Sequence, residues 1–431
     1  MKAKSFKKGV HIPHNKLTES SALAVVPPPN TVYIPLSQHL GKCATPVVAV
    51  GDTVKAGTLI GAADGFVSAN IFSSVSGTVK AIVKRKTVTG ICDHVVIEND
   101  GKNVEETLPP LDDKTDKDAI LNRIKEAGLV GMGGAGFPSH VKYSPKNKID
   151  RFIINGAECE PYITCDYRLL FERTEEVLLG AQMLSCVLGV PEFDIGIEDN
   201  KPLAIDALHK TIEQKGIRAK ITVLKSKYPQ GAEKQLIYAV TGRKVPCGGL
   251  PMDAGVVVGN VHTAYALYEA AYLGIPLYKR AVTVSGVIKD KGNYIVRTGM
   301  TYGDLAEYCG GMDERCAKII SGGPMMGIAI PDLDYSVGKT SGALLFLGED
   351  DVNMSQPKPC INCGKCARAC PMNLMPMYID AYTLCGDYAT AKKYGAQNCI
   401  ECGCCAYTCP AKRTIVQSVR LCKSKIKELG L

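Results

Sequence analysis

The sequence predicts a multi-domain α/β protein: a small all-β unit at the N-terminus, a central α/β domain with a largely parallel sheet, a short β-rich insert, and a C-terminal α-helical module that carries a duplicated cysteine motif. Three observations predict it. The chain has 431 residues, too many for one ordinary core, so about three or four domains are expected. Hydrophobic periodicity switches from short glycine-punctuated strands to strands alternating with helices near residue 118, and to a hairpin pattern near residue 281. Finally, CINCGKCARACP, carrying Cys360, Cys363, Cys366 and Cys370, recurs as CIECGCCAYTCP, carrying Cys399, Cys402, Cys405 and Cys409.

Residues 1–30 form a polar extension with a basic start, MKAKSFKKGVHIPHNK. From 31 to 100, segments such as VVAVGDTVKAGTLIGAADG and ANIFSSVSGTVKAIVKR alternate apolar and polar residues between GD and SG turns, the mark of a β unit. Its two halves resemble the barrel-sandwich-like hammerhead of biotinyl and lipoyl carrier domains. Those carriers present a lysine at a hairpin tip. None occurs from Ala62 to Gly77, so a structural or docking module is expected rather than a prosthetic-group arm. The charged stretch 101–118 reads as a linker. A helix follows, with Ile120, Leu121, Ile124 and Ala127 at helical spacing, Asp116 or Asp118 as its cap and Gly128 as its end. Across 118–280 the strands RFIIN, FDIGI, AKITVL and GVVVGN alternate with helical stretches, which argues a parallel sheet. Residues 281–330 read as a hairpin plus a short helix, an insert of β-grasp size. LGEDDVNMSQPKP links it to the cluster module at 357–411. Residues 412–431 form a basic amphipathic tail with Ile415, Val419, Cys422, Ile426 and Leu429 on one face. That helix suits either a lid over the cluster module or a docking element for a membrane or partner.

A CxxCxxCxxxCP run places three thiolates around one 4Fe-4S cubane, while its fourth cysteine ligates the other cluster when two runs share a fold. The assignment is therefore Cys360, Cys363, Cys366 and Cys409 for cluster one, and Cys399, Cys402, Cys405 and Cys370 for cluster two. A tetrahedral zinc site needs neither the third CxxC step nor the terminal CP. Cys404 has no place in the ligand spacing and is expected to be a bystander. Nothing at the N-terminus resembles a signal peptide, and the remaining cysteines are scattered, which fits a reducing compartment better than disulfides. No segment reaches the ~18 consecutive apolar residues of a spanning helix. The formal charge of +8 shrinks by roughly four once eight thiolates bind two cores of about +2 each. With no tryptophan and no stripe of aromatic and basic residues, nucleic-acid binding is not expected.

GLVGMGGAGFPSHVK holds Gly131, Gly133, Gly134 and Gly136 within six residues, so backbone N–H groups can approach a phosphate closely, with Lys142 adding charge. The loop follows a helix and ends in Phe137 and Pro138, whereas a Rossmann fingerprint follows a strand. The strand RFIIN ends at Asn155, with Glu158 and Glu160 just beyond, and ligands of open α/β sheets sit past the carboxyl ends of strands. Gly231 and Glu233 occupy a loop entering a helix, and Asn260 lies at another strand end.

Taken in order, GLVGMGGAGFPSHVK, NGAECEP, YPQGAEKQL and GNVHTA resemble the FMN and NADH motifs of the flavin-bearing subunit of respiratory complex I. The insert resembles the β-grasp (SLBB-like) domain that follows in that subunit. With the hammerhead in front and a two-cluster ferredoxin-type module behind, the chain resembles, over nearly its full length, the RnfC family, a component of the Rnf complex, which is a membrane-bound ion-translocating ferredoxin:NAD oxidoreductase. GVHIPHNK, IPLSQHLG and SGGPMMG also resemble that family. The resemblance implies that Gly131, Gly133, Gly134, Gly136, Lys142, Asn155, Gly231 and Asn260 hold FMN. It implies that Phe137, Glu158, Glu160 and Glu233 face NADH, Phe137 by stacking. Three positions depart from the complex I pattern: His140 stands where glycine is usual, Ala157 replaces an acidic residue, and Ala232 replaces the first of two adjacent glutamates. Two 4Fe-4S clusters, FMN and NAD(H) as substrate are implied, with no catalytic side chain, since hydride passes between cofactors. The implied partners are other Rnf subunits, including integral membrane subunits and a ferredoxin-type subunit, with the chain peripheral on the cytoplasmic face of the cell membrane. Two other readings share these modules: a cobalamin reductase of the propanediol-utilisation type with a corrinoid partner, and a cluster-only electron-transfer adaptor with a vestigial flavin pocket.

Overall fold

The computed structural model describes residues 3–112, 116–353 and 355–431. The first two residues of the extension, residues 113–115 of the first linker and Met354 of the second lie outside the described residues. In the hammerhead, one antiparallel sheet has the order Thr31–Pro35, Gly90–Asn99, Gly77–Thr87, Thr53–Val54, and a second has Thr45–Pro46, Leu59–Ala62, Ile71–Phe72. Their inward residues, Val32, Ile34, Ile60, Ile71, Val79 and Val95 among them, share one core. The linker is not slack: Ala56 N–H donates to the Val104 carbonyl, while Leu108 and Leu111 donate to the carbonyls of Gly274 and Ala271. It therefore clamps the hammerhead to the next domain.

The helix Lys117–Glu126 starts where expected, capped by Asp116, which accepts from Ala119 N–H at 2.8 Å. Four parallel strands follow in the spatial order Ala219–Leu224, Phe193–Glu198, Arg151–Gly156, Val256–Asn260. Their apolar runs are buried, as sheets covered on both faces require. The chain lays down Arg151–Gly156 first, moves outward through two strands, then returns to the other side of the first. The crevice past the carboxyl ends of Arg151–Gly156 and Val256–Asn260 is thus the topological switch point, where open α/β sheets bind ligands. Helices Thr174–Leu188 and Val261–Tyr272 pack backbone to backbone against the strands of this sheet; a Cβ at Gly180 would lie 1.9 Å from the Ala264 carbonyl oxygen.

The insert forms a six-stranded sheet that continues past residue 330. Ala343–Gly348 lies inside it, between Lys279–Gly286 and Cys316–Ser321, and Leu23–Val25 of the N-terminal extension adds a parallel edge strand. Neither segment carried a pattern that tied it to the insert. The cluster module follows, and the duplication in sequence is a duplication of backbone. Left-handed conformations recur at Asn362 and Glu401, at Gly364 and Gly403, and at Asn373 and Lys412, equivalent places in the two runs. No helix among the described residues is long and apolar enough to cross a membrane.

The tail helix, Ile415–Glu428, folds back as a lid. Ile415, Val416, Val419, Cys422 and Ile426 are buried in the core of the cluster module with Ile379, Cys366 and Cys405. Asp380 accepts from Arg413 at 2.7 Å and from Ser418 at 2.6 Å, tying the helix start to Pro376–Leu384. Replacing Ile426→Ala is expected to cost about 2–5 kcal/mol of local stability. The readout is a lower urea midpoint for loss of the visible cluster absorbance; an unchanged midpoint would show that the helix does not act as a lid.

Candidate functional site

The glycine loop is closed on itself and held from three sides. Val130 and Pro138 pair as a bridge and Gly131 N–H donates to the Phe137 carbonyl at 2.9 Å, leaving Gly133, Gly134 and Ala135 exposed. Met132 N–H donates to Thr263 Oγ1 at 3.0 Å. Leu40 N–H, from the hammerhead, donates to the Gly136 carbonyl at 3.1 Å, and Arg280, from the insert, donates to the Met132 carbonyl at 3.5 Å. Gly136 has φ +69°, and a side chain there would meet Thr340 and Gln38. A Cβ at Gly133 would lie 2.7 Å from Asn260 Nδ2, whereas the space around Gly134 is open.

That contact begins a continuous ring around the switch point. Asn260 is the register partner of Asn155 on the neighbouring strand. Asn155 Nδ2 donates to the Gly231 carbonyl at 2.8 Å, and its Oδ1 accepts from Ala157 N–H at 3.1 Å. Two residues past Gly231, Glu233 opens the helix Glu233–Thr241 and pairs with Lys142 at 3.0 Å. Asn260 Oδ1 caps the following helix through His262 N–H at 2.8 Å, and its Nδ2 donates to Asp166 at 2.7 Å. His262 Nε2 accepts from Ala281 N–H, which leaves the proton on Nδ1, 3.7 Å from Asp166. Burial pushes Asp166 up, but His262, Asn260 and Arg280 outweigh it and hold the carboxyl below its usual range. Half-buried Phe137 sits at the exit of the loop.

The carboxylates of Glu158 and Glu160 are engaged within the fold. Glu158 accepts from Asp166 N–H at 2.9 Å and Tyr167 N–H at 3.4 Å, covering the start of the helix Cys165–Glu172. Glu160 accepts from Tyr228 OH at 3.1 Å and Met325 N–H at 3.2 Å, beneath the SGGPMMG turn. Desolvation raises both, Glu160 to about 7. Both depend on Lys16, which sequence reasoning gave no role. Its ammonium donates to the carbonyls of Glu158 and Glu160, each at 2.8 Å, and of Ile163 at 2.5 Å. Lys16 carries no periodic signal; its presence in GVHIPHNK was the only hint.

Two cavities lie in the cluster module. Cys360, Cys363, Cys366 and Cys409 line one; Cys399, Cys402, Cys405 and Cys370 line the other, beside Cys404. Each fourth cysteine thus crosses to the other run's cavity, the exchange that the spacing requires. Backbone N–H groups reach sulfur at Leu374 to Cys370 (3.4 Å) and Glu401 to Cys399 (3.3 Å). Four thiolates around each cavity suit a cubane. The second cavity abuts the α/β domain: Cys402 and Cys404 share a buried cluster with Val10, Ile12 and Tyr228, with Cys159 and Met325 against it. Gln235 Nε2 also reaches the Pro371 carbonyl at 3.4 Å. The first cavity opens outward, with Cys360 and Cys363 exposed.

Family models match this chain in four blocks: the RnfC Barrel sandwich hybrid domain over residues 4–102, the Nuo51 FMN-binding domain over 124–269, the SLBB domain over 281–329 and the 4Fe-4S dicluster domain over 353–410. The C component of the proton-translocating ferredoxin:NAD(+) oxidoreductase complex of Clostridium ljungdahlii is 47% identical, over 99% of this chain and 95% of its own length. The chain belongs to the RnfC family. The corresponding component of the Na(+)-translocating complex of Acetobacterium woodii is 44% identical over 98% of this chain and 97% of its own. That of the ion-translocating oxidoreductase complex of Rhodobacter capsulatus is 40% identical over 98% and 83%. In fold alone, the chain is similar to a crystal structure of an NAD+-reducing NiFe hydrogenase, with TM-score 0.52, 19% identity, and coverage of 73% of this chain and 61% of that one.

This RnfC protein therefore carries an FMN-binding domain and a 4Fe-4S dicluster domain. The residues present fit both groups: an exposed glycine loop against two strand-end asparagines for the first, and two four-cysteine cavities for the second. Beside the site, Glu198 is fully buried; it accepts from Lys227 N–H at 3.3 Å, and burial raises its pKa to about 7. A carboxyl raised on folding stabilises below its unfolded value near 4.5, and that contribution is lost as pH rises through about 7. Glu198→Gln is therefore expected to flatten the fall in thermal midpoint between those two values, by on the order of 3 kcal/mol across the window. A wild-type slope in the variant would refute the burial argument.

Proposed function

We propose that this protein exchanges a hydride between NAD(H) and FMN at the switch point and relays single electrons through two 4Fe-4S clusters to or from other subunits of its complex, attached peripherally at the cytoplasmic face of the membrane. The supporting observation is adjacency: the ring of Gly133, Asn260, Asn155 and Gly231 belongs to the same domain whose strand-end turn packs, through Cys159 and Tyr228, against the second cysteine cavity. FMN, when bound, supplies the conversion between two-electron and one-electron transfer.

The chain's own residues do the rest by holding and orienting. Backbone amides of Gly133, Gly134 and Gly136 and the Lys142 ammonium take the phosphate, while the Gly131 N–H closes the loop on the Phe137 carbonyl and Gly231 lets the neighbouring loop close in. Asn155 and Asn260 each keep an unused amide N–H to orient the ring. Phe137 and Glu233 face the nicotinamide dinucleotide at the mouth, while Glu158 and Glu160 keep the strand-end turn in place. The hydride step asks for no proton from the protein. The names of the relatives favour this reading over corrinoid reduction.

NADH is expected to bleach the flavin absorbance of the isolated protein; an unbleached flavin would overturn the proposal. Gly133→Ala drives a methyl into Asn260 and should reduce flavin content while leaving iron unchanged. For the clusters, Cys370→Ser is expected to deplete the cluster of the second run and Cys409→Ser that of the first. Electron paramagnetic resonance of the reduced variants reads which signal is lost, and loss in the residue's own run would refute the exchange.

A further inference from the structure

We infer that the outward face of cluster one is a docking surface for a carboxylate-rich, one-electron protein partner; the inference rests on the reading of the two cavities as cluster sites. Three observations carry it. The first cavity is the one that meets solvent: Cys360 and Cys363 are exposed, and between them Ile361 is 66% exposed, whereas the second cavity is covered by Tyr228, Val10 and Ile12. Exposed charge on the segments that carry its cysteines has one sign, since Asp380 in its lining is buried. No Asp or Glu occurs from residue 352 to 379 or from 402 to 427, and the exposed Lys358, Lys365, Arg368 and Lys412 flank the cavity. Lys358 is placed beside Lys412 by the bond from its own N–H to the Ala411 carbonyl at 2.9 Å. None of the four pairs with a carboxylate among the described residues; Arg368 donates only to the Cys363 carbonyl, at 3.1 Å. The acids nearest in sequence are otherwise engaged: Asp380 is held by Arg413 and Ser418, and Glu401 by Arg420 and Lys423.

An apolar residue centred in a ring of unpaired cations is the pattern of a transient electron-transfer interface. The ring steers and orients an acidic partner, and the apolar centre excludes water where the two redox groups approach. Electron transfer weakens steeply with separation, so the exposed rim of Cys360 and Cys363 is where a partner gains most. An anionic lipid surface would answer the charge but makes no use of an exposed cluster.

The test is zero-length carbodiimide coupling in the intact complex in native membranes, which joins lysine to carboxylate, followed by peptide mass spectrometry. Lys358, Lys365 or Lys412 should be joined to Asp or Glu of another subunit or of a bound carrier. The yield should fall several-fold between about 50 and about 500 mM KCl, over which the Debye length shortens roughly threefold. In parallel, the triple variant Lys358→Glu, Lys365→Glu, Lys412→Glu is added back to membranes stripped of the native protein. Electron delivery to the membrane partner should drop roughly tenfold or more at low salt, with iron content and NADH bleaching of the flavin unchanged. Absence of coupling at these lysines, or a wild-type delivery rate in the triple variant, overturns the inference. So does salt-sensitive binding of the wild-type protein to phosphatidylglycerol vesicles that the triple variant loses, since the occupant is then lipid. A flavin that NADH fails to bleach would sink the proposed function while leaving the coupling pattern intact, so the two failures are distinguishable.

Discussion

The ammonium of Lys16 donates to three carbonyls of the turn that follows the central strand, and this one cation organises the meeting point of four units. The turn is not self-sufficient. It contains Tyr162 at φ +67°, a left-handed conformation that costs an ordinary side chain about 1–2 kcal/mol, and its carbonyls have no sheet or helix to join. Desolvation lowers the Lys16 pKa, while Glu158 and Glu198 nearby favour its charge, so three short hydrogen bonds and two carboxylates offset the cost of enclosing it. The same N-terminal segment pins the turn again: His14 accepts from Tyr162 N–H at 2.9 Å. Thr18 Oγ1 bonds Thr164 Oγ1 at 2.5 Å, Thr164 reaches Asn293 at 2.8 Å, and Asn293 returns to the Thr18 carbonyl at 2.9 Å. With that turn held, Glu160 meets Tyr228 and Met325, and the cluster module has a fixed surface to pack on.

A second constraint acts at the glycine loop, where three domains share one joint. Lys339 of the insert is fully buried and donates to Asn70 of the hammerhead at 2.5 Å and to Gly128 of the α/β domain at 2.7 Å, and burial lowers its pKa to about 7. Its own N–H bonds Gln38, and its carbonyl accepts from Arg280, which also supports Met132 inside the loop. The hammerhead, lacking a carrier lysine, is thus a brace. It fixes the angle at which exposed backbone amides meet the strand ends.

Much of this was legible in the sequence because its signals are local. Cysteine spacing carried the exchange of Cys370 and Cys409, hydrophobic alternation carried the parallel sheet, and Asp116 announced its helix. What was hidden depends on pairs distant in sequence. Leu23–Val25 joins a sheet some 270 residues downstream, and nothing in three apolar residues says so. Glu158 and Glu160 follow a strand end and so suggest ligands for a cofactor, yet their carboxylates accept from the N–H groups of Asp166 and Met325 and from Tyr228, residues that no local pattern connects to them. Tyr228 was invisible for the same reason: its hydroxyl has meaning only beside Glu160, its ring only beside Cys402.

Cys404 shows how surroundings rewrite a repeated motif. The two cysteine runs share left-handed backbone at three equivalent places, and the position after the left-handed glycine is Lys365 in one and Cys404 in the other. Lys365 is exposed beside the outward cavity; Cys404 is fully buried against Val10, Ile12 and Tyr228. A lysine at 404 would carry an ammonium into that apolar interface, at a cost of several kcal/mol or a forced loss of charge. Cysteine behaves there as a small apolar side chain, which lets the second cavity press against the α/β domain. The packing needs it there. The same difference read in reverse explains why the first run can keep its lysine: that face was never closed by this chain's own domains.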